Sequence, residues 1–303
     1  MRVRIAAVQY EFRTIRSFDD FAQQVSFLVE SAADYSSHFV VFPEFLTMQL
    51  MSYVRESDPA LAVRKLAAMT PQYEQLFRDL AIRHNLYIIG GTHPVMDEDE
   101  KVYNTAHLFT PHGKVFHQRK VHLTRSEKGP YQMSRGNEFC VFETDYGKIA
   151  ILVCYDVEFP EAARIIAEAG AEILFVPSCT DDRQGFHRVR YCSHARAIEN
   201  QIYVAVTGTV GNLPSVPHMN TNYGQAAIIT PNDFYFARDG IGAEGTLNQE
   251  QMIVHDVDLA LLDERRANGT VIPLNDKLKE VYEHVAVFKD KAEVTAKALP
   301  VFD

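Results

Sequence analysis

What most constrains this chain is a series of short apolar runs set between helical patterns. The runs "VRIAAVQ", "FVVF", "LYIIGG", "KIAILVC", "EILFVP" and "IYVAV" read as buried strands. Between the first two, Phe18, Phe21, Val25, Leu28 and Ala32 recur at helical spacing behind a capping Ser17. Asp58-Pro59 and Thr70-Pro71 announce two more helices, each with a capping residue and proline at the first helical position. The middle of the chain changes character. There "YNTAHLFT", "GKVFHQRK", "EFCVFET" and "KIAILVC" are joined by short turns, which predicts antiparallel strands. From Pro160 the alternation returns: a helix to Gly170, the strand "EILFVP", a helix through "HRVRYCSHARAIEN", then the strands "IYVAV", "GQAAIIT" and "QMIVHDV". The pattern predicts an α/β fold in which two strand layers are covered by helices on both outer faces, as one domain over residues 1–303. Periodicity fades after Asn268, so residues from about 270 are expected to form a C-terminal tail lying across a surface or a partner subunit.

Composition excludes several functions. With 47% hydrophobic residues, 19 Phe and 14 Tyr in 303 residues, the chain can fill one large core. A net charge of −10 with no basic stripe argues against a nucleic-acid partner. No apolar run approaches a membrane span, and the first run is too short for a signal peptide. The cysteines at 140, 154, 179 and 192 form no CxxC and no disulfide ladder, so the expected location is reducing and cytoplasmic.

Three apolar runs stop on residues of complementary chemistry: "VVFPE" on Glu44, "VFHQRK" on Lys120 and "AILVC" on Cys154. Strand ends are where open α/β folds hold their sites. Singly, each has an ordinary explanation. A free cysteine packs like a small apolar residue, a glutamate can sit in a solvated turn, and a lysine can guard a sheet edge. Together they are a nucleophile, a base and a cation.

The ordered motifs "FPEF", "RKVHLTRSE", "CYDVEFPE" and "HARAIENQIYV" resemble the carbon–nitrogen hydrolases of the nitrilase superfamily, over nearly the whole chain from "AAVQ" to "DVDL". Within it the chain most resembles a branch of amidohydrolases, some fused to an acetyltransferase domain. The resemblance implies a four-layer α-β-β-α sandwich that dimerises, or assembles further, through its outer helices. It also implies a Glu44, Lys120, Cys154 triad, with Glu127 as a second glutamate. The activity it implies is hydrolysis of a small amide or, alternatively, a nitrile, with no cofactor. A catalytically silent binding protein on the same fold is a further alternative.

Thiol chemistry sets its own requirements. The thiolate attacks carbon, the intermediate carries a negative oxygen, ammonia or an amine leaves with a proton, and water cleaves the thioester. Glutamate and cysteine differ by about 4 pKa units, roughly 6 kcal/mol against transfer of the thiol proton. Burial behind Phe42 and Phe45 is expected to raise Glu44, and the Lys120 ammonium to lower Cys154. Lys120 and the backbone N–H of Tyr155 are candidates to hold the oxyanion, with Glu127 orienting Lys120. Cys179, His187, Cys192 and His194 are too irregularly spaced for a zinc site, and no metal is expected. "GTVGN" lacks the setting of a nucleotide loop. Arg196, Glu199 and Asn200 read as structural or interface groups.

Substrate charge is the remaining question. Where many amidases of the superfamily have arginine before "FPE", this chain has Glu158, and Asp181 and Asp182 follow the neighbouring strand. Two readings stand. Either Glu158, Asp181 and Asp182 ring the mouth with negative charge and disfavour carboxylate substrates, or Glu158 caps the helix at Pro160 while the aspartates bind Arg183 and Arg188.

Overall fold

A computed structural model describes residues 1–282 and the backbone of two short paired strands, 284–287 and 295–298. The first part of the chain gives strands β1 (Arg2–Phe12), β2 (Phe39–Val41), β3 (Tyr87–Met96), β4 (Val102–Phe109) and β5 (Val115–Arg119). Its helices are α1 (Phe18–Asp34), α2 (Met51–Val54), α3 (Pro59–Ala67), α4 (Thr70–His84) and the one-turn α5 (Arg125–Lys128). The second part gives β6 (Val141–Thr144), β7 (Gly147–Ile151), β8 (Ile173–Val176), β9 (Tyr203–Val206), β10 (Gly208–Gly211), β11 (Ala227–Ile229), β12 (Ile241–Glu244) and β13 (Gln251–Asp258). Helices α6 (Pro160–Glu168), α7 (Arg183–Asn200), α8 (Leu259–Asn268), α9 (Pro273–Asp276) and α10 (Lys279–Tyr282) complete it.

The strands form two sheets. One runs β10-β1-β2-β3-β4-β5, with β13 antiparallel to β1, and the other runs β12-β11-β9-β8-β7-β6. Strand alternation assigns the layers. Val3, Ile5, Ala7, Val41, Ile89 and Leu108 face the second sheet and share a core with Ile149, Ile151 and Phe175. Their neighbours Ala6, Val8, Val40, Phe42 and Ile88 face outward and pack with Phe21 and Val25 of α1, Val63 of α3 and Phe77 of α4. On the far side Ala163 and Ile166 of α6 and Ala197 of α7 cover the second sheet. The result is the expected α-β-β-α sandwich; the expected mid-chain antiparallel run is split between the sheets, β3-β4-β5 in one and β6-β7 in the other, and β11 and β13 add further antiparallel pairs.

Local signals hold at two helix starts and fail at two. Ser17 accepts from the Asp20 N–H at 3.2 Å, and Asp58 caps α3 through the N–H groups of Ala60 and Leu61. Thr70 does not cap α4. Met69 stands at that position, and the Thr70 hydroxyl donates to the Ala67 carbonyl and lies 2.9 Å from Nε2 of the buried His93, whose ring needs a partner more than the helix end does. At α6 the residue before the helix is Phe159, with no side-chain cap, so Glu158 is not a cap.

Past Asn268, Leu274 is buried, and Lys277 and Lys279 reach Glu168 of α6 at 3.0 and 3.5 Å. The start of the expected tail therefore lies along the α6 side. Apart from the two short strands, the rest lies outside the described residues.

Candidate active site

Glu44 follows β2 by way of Pro43, and the backbone there is closely fitted. The Pro43 carbonyl accepts from the Thr92 N–H at 3.3 Å, and Gly91, at φ +70°, lets β3 come so near that a Cβ would lie 2.1 Å from that oxygen. Phe45 adopts φ 55°, its N–H donating to Thr92 Oγ1 at 2.8 Å. These constraints turn the Glu44 carboxylate inward, where it is 1% exposed.

Lys120 follows β5, fixed by its N–H to the Asn104 carbonyl and by its own carbonyl to the Gly136 N–H, at 2.8 and 2.7 Å. Its ammonium donates to Glu44 Oε1 at 2.7 Å and to Glu127 Oε2 at 2.8 Å. The Asn104 amide donates to both carboxylates, each at 2.8 Å, which ties the acids together from the other side. Glu127 is held by a capping box: Thr124 accepts from the Glu127 N–H, and Glu127 Oε2 accepts from the Thr124 N–H. The second oxygen of Glu44 accepts from the Cys179 N–H at 3.1 Å. Two carboxylates and one ammonium in a buried site must depend on one another. Burial drives Glu44 above the ordinary carboxylate range despite Lys120. Burial would depress Lys120, but Glu127 and Glu44 outweigh it and hold the ammonium charged well above its usual value. Glu127 goes down, because Lys120, Asn104 and Thr124 together exceed the cost of its burial.

Cys154 comes from the other sheet, three residues past β7. Its N–H donates to the Pro177 carbonyl at 2.9 Å, and its φ of 47° lies in the left-handed region, a cost of about 1–3 kcal/mol for a residue with a side chain. This bend opens a short 3₁₀ turn, Cys154–Glu158, held from two directions. Asp156, fully buried, accepts from the N–H groups of Val153 and His122 and faces His122 Nδ1 at 2.9 Å. Arg196 donates to the carbonyls of Val157 and Glu158 at 2.9 and 3.1 Å. Cys154 Sγ lies 3.8 Å from the carbonyl of Cys179, the residue whose N–H Glu44 holds. Lys120 does pull the thiol down as expected, but it does not set the net direction. Burial and the Glu44 charge outweigh the ammonium and push the thiol well up, so Cys154 rests as a thiol.

The structure thus brings Glu44, Lys120, Glu127 and Cys154 to one buried locus. Tyr155 lies beside the elbow with its ring edge-on to Phe159 at 5.0 Å. Glu158 has neither expected role in full. It pairs with Arg188 of α7 at 3.5 Å, and burial raises it against the pull of Arg188 and Lys120. Asp181 is exposed, and Asp182 caps α7 through the Gly185 N–H, so neither aspartate takes Arg188. Asn104, Asp156 and the elbow-holding part of Arg196 were missed. Glu127 had a further signal, since "TRSE" is a capping-box sequence. Cys179 bonds to Thr209 and Asn222, and with His187, Cys192 and His194 it forms no metal-directed group among the described residues.

An α-β-β-α sandwich with an acid–lysine–acid cluster facing a cysteine elbow defines a class of hydrolase, and comparison with known proteins says which. The carbon–nitrogen hydrolase family model matches residues 4–267, and the chain belongs to that family of enzymes, in the nitrilase superfamily. A probable hydrolase, YhcX of Bacillus subtilis, is 51% identical over 92% of this chain and 54% of its own, so the chain spans about half of that relative. Omega-amidase NIT3 of Saccharomyces cerevisiae is 26% identical over 94% of this chain and 96% of its own. The crystal structure of yeast Nit3, a member of branch 10 of the nitrilase superfamily, superposes with a TM-score of 0.70, covering 88% of this chain and 93% of that one. A carbon–nitrogen hydrolase from Helicobacter pylori shares the fold at 22% identity and TM-score 0.78, over 93% and 97% of the two chains.

Proposed function

We propose that this chain is a cysteine-dependent amidase acting on a small amide. The observation that carries the reading is the Lys120 ammonium between two buried carboxylates, one of which, Glu44, meets the same Cys179 backbone as the Cys154 thiol. Because burial raises acid and thiol together, a free thiolate is not the resting species. Proton transfer accompanies attack: as Sγ bonds to the amide carbon, Glu44 takes the thiol proton and the carbonyl electrons move to oxygen. Lys120 and the Tyr155 N–H stabilise that oxyanion. Glu44 then gives its proton to the departing nitrogen, ammonia or an amine leaves, and a thioester remains on Cys154. Water, deprotonated by Glu44, cleaves the thioester and restores the thiol. Glu127 and Asn104 keep Lys120 and Glu44 in register.

The omega-amidase and amidase names of relatives support amides over nitriles as substrates. Exposed Ile165 of α6 and Tyr191 and Ile198 of α7 support a homodimer through those helices, and four free cysteines support a cytoplasmic setting. The test is ammonia release from a panel of small amides and their matching nitriles, with wild type and Cys154→Ala. Release from amides that vanishes in the variant is expected. Faster release from nitriles would make it a nitrilase, and none from either would leave a silent binding protein.

A further inference from the structure

Away from the proposed active site, on the outer face of the first sheet, three metal-directed atoms converge. Glu74 of α4, His107 of β4 and His117 of β5 each offer one ligand atom, all within 4.8 Å of one another. Glu74 Oε1 lies 3.2 Å from His117 Nε2 and 3.6 Å from His107 Nε2. Glu74 Oε2 is turned away, 3.5 Å from the Arg78 guanidinium. Four ligands at about 2.0–2.1 Å from a tetrahedral zinc lie about 3.3 Å apart, close to the two separations of Glu74 Oε1 from the histidine nitrogens.

His107 gives the second, independent observation. The ring is completely buried, Nδ1 is 3.1 Å from the Thr105 carbonyl, and Nε2 has no hydrogen-bond partner. A neutral imidazole cannot satisfy both ends. With its proton on Nδ1, it donates to Thr105 and aims a bare lone pair at the Glu74 carboxylate; with the proton on Nε2, a lone pair faces the Thr105 carbonyl. Either a second proton or a cation must resolve the conflict. A second proton would leave a charged ring fully buried with Glu74 Oε1 3.6 Å away as its counter-charge, whereas a cation would draw on Glu74 and His117 together. His93, just as buried on the next strand, has no such conflict, because Thr47 and Thr70 occupy both its nitrogens at 2.8 and 2.9 Å. Tyr73 edge-on and Phe109 stacked hold the His107 ring in place, at 5.0 and 5.8 Å.

We infer that Glu74 Oε1, His107 Nε2 and His117 Nε2 bind one divalent cation of the zinc class, with water as the fourth ligand on the side where His117 is exposed. Two imidazoles and a carboxylate suit zinc, and cobalt as its spectroscopic substitute. The ion clamps α4 to the β4-β5 edge, and its role is structural. The inference is independent of the amidase reading.

The test uses the full chain carrying Cys154→Ala, which removes the thiol of the proposed active site. Zinc is added, excess is removed by gel filtration, and bound metal is measured by mass spectrometry. One zinc per chain is expected, with a melting temperature raised by about 5 °C at saturating metal. Adding His117→Ala, or separately Glu74→Gln, is expected to weaken binding at least about 100-fold while the metal-free melting temperature changes little, since both side chains are partly exposed. Cobalt is expected to give tetrahedral ligand-field absorption without a thiolate charge-transfer band. Zinc well below one per chain, full retention in both variants, or a thiolate band would each overturn the site.

Discussion

The two sheets bring different kinds of order to the proposed active site. The first contributes charges that hold one another: Glu44, Lys120, Glu127 and Asn104 are linked side chain to side chain at 2.7–2.8 Å. The second contributes a cysteine held by its backbone, through a left-handed φ, the Asp156 carboxylate and the Arg196 guanidinium. Charges can fix each other because a misplaced buried charge costs several kcal/mol. A thiol has no such hold and must be aimed by the chain beneath it. The difference predicts that removing the cation on the first side costs activity and stability together, while lesions on the second mainly misplace a nucleophile.

The largest expected effect breaks the charged side. Lys120→Ala leaves two carboxylates buried without their cation, and it should cost about 3–5 kcal/mol in denaturant unfolding as well as at least about a hundredfold in kcat. Glu44→Gln separates the two consequences. It keeps the shape and removes the base, so kcat should fall about 10²–10⁴-fold, while stability changes little because the carboxylate is already disfavoured by burial. On the other side, Asp156→Ala strands the His122 and Val153 N–H groups and should cost about 1–3 kcal/mol, with kcat falling more than KM changes. An equal loss of stability in Asp156→Ala and Lys120→Ala would erase the contrast between the two sides.

A pH profile sharpens it. Catalysis needs Glu44 as a carboxylate, and its pKa is raised, so kcat/KM should fall with decreasing pH at a midpoint above the ordinary glutamate value of about 4.3. The Glu127 charge contributes to that rise, so Glu127→Gln should move the midpoint to lower pH even as overall activity falls. The smallest effect concerns substrate charge. Glu158→Gln frees Arg188 and removes one acid, and it should favour carboxylate-bearing amides over neutral ones by about two- to fivefold at low salt, less at high salt. An unchanged ratio would show that Glu158 does not set substrate charge.

Much of this arrangement was legible in the sequence because polar residues that end apolar runs stand out. Glu44, Lys120 and Cys154 each close a strand-like segment, and two-layer order followed from runs that need cover on both faces. Asn104 was hidden for the opposite reason: inside "YNTAHLF" it reads as an ordinary polar position, and only the meeting of β4 with the Lys120 segment gives it two carboxylates to bind. The left-handed turn at Cys154 was equally invisible, since "AILVC" reads as continuous strand. Thr70 and Glu158 misled as caps because their partners, His93 and Arg188, arrive from distant segments. Local rules choose among local partners, and tertiary contacts overrule them.

The central claim is that Cys154 becomes acylated. Wild type mixed with a small amide and quenched in acid within a turnover should carry the acyl mass on the peptide containing Cys154, and Glu44→Gln should carry far less. Cys154→Ala should carry none and release no ammonia. Acylation of another residue, or ammonia release undiminished in Cys154→Ala, would contradict the account.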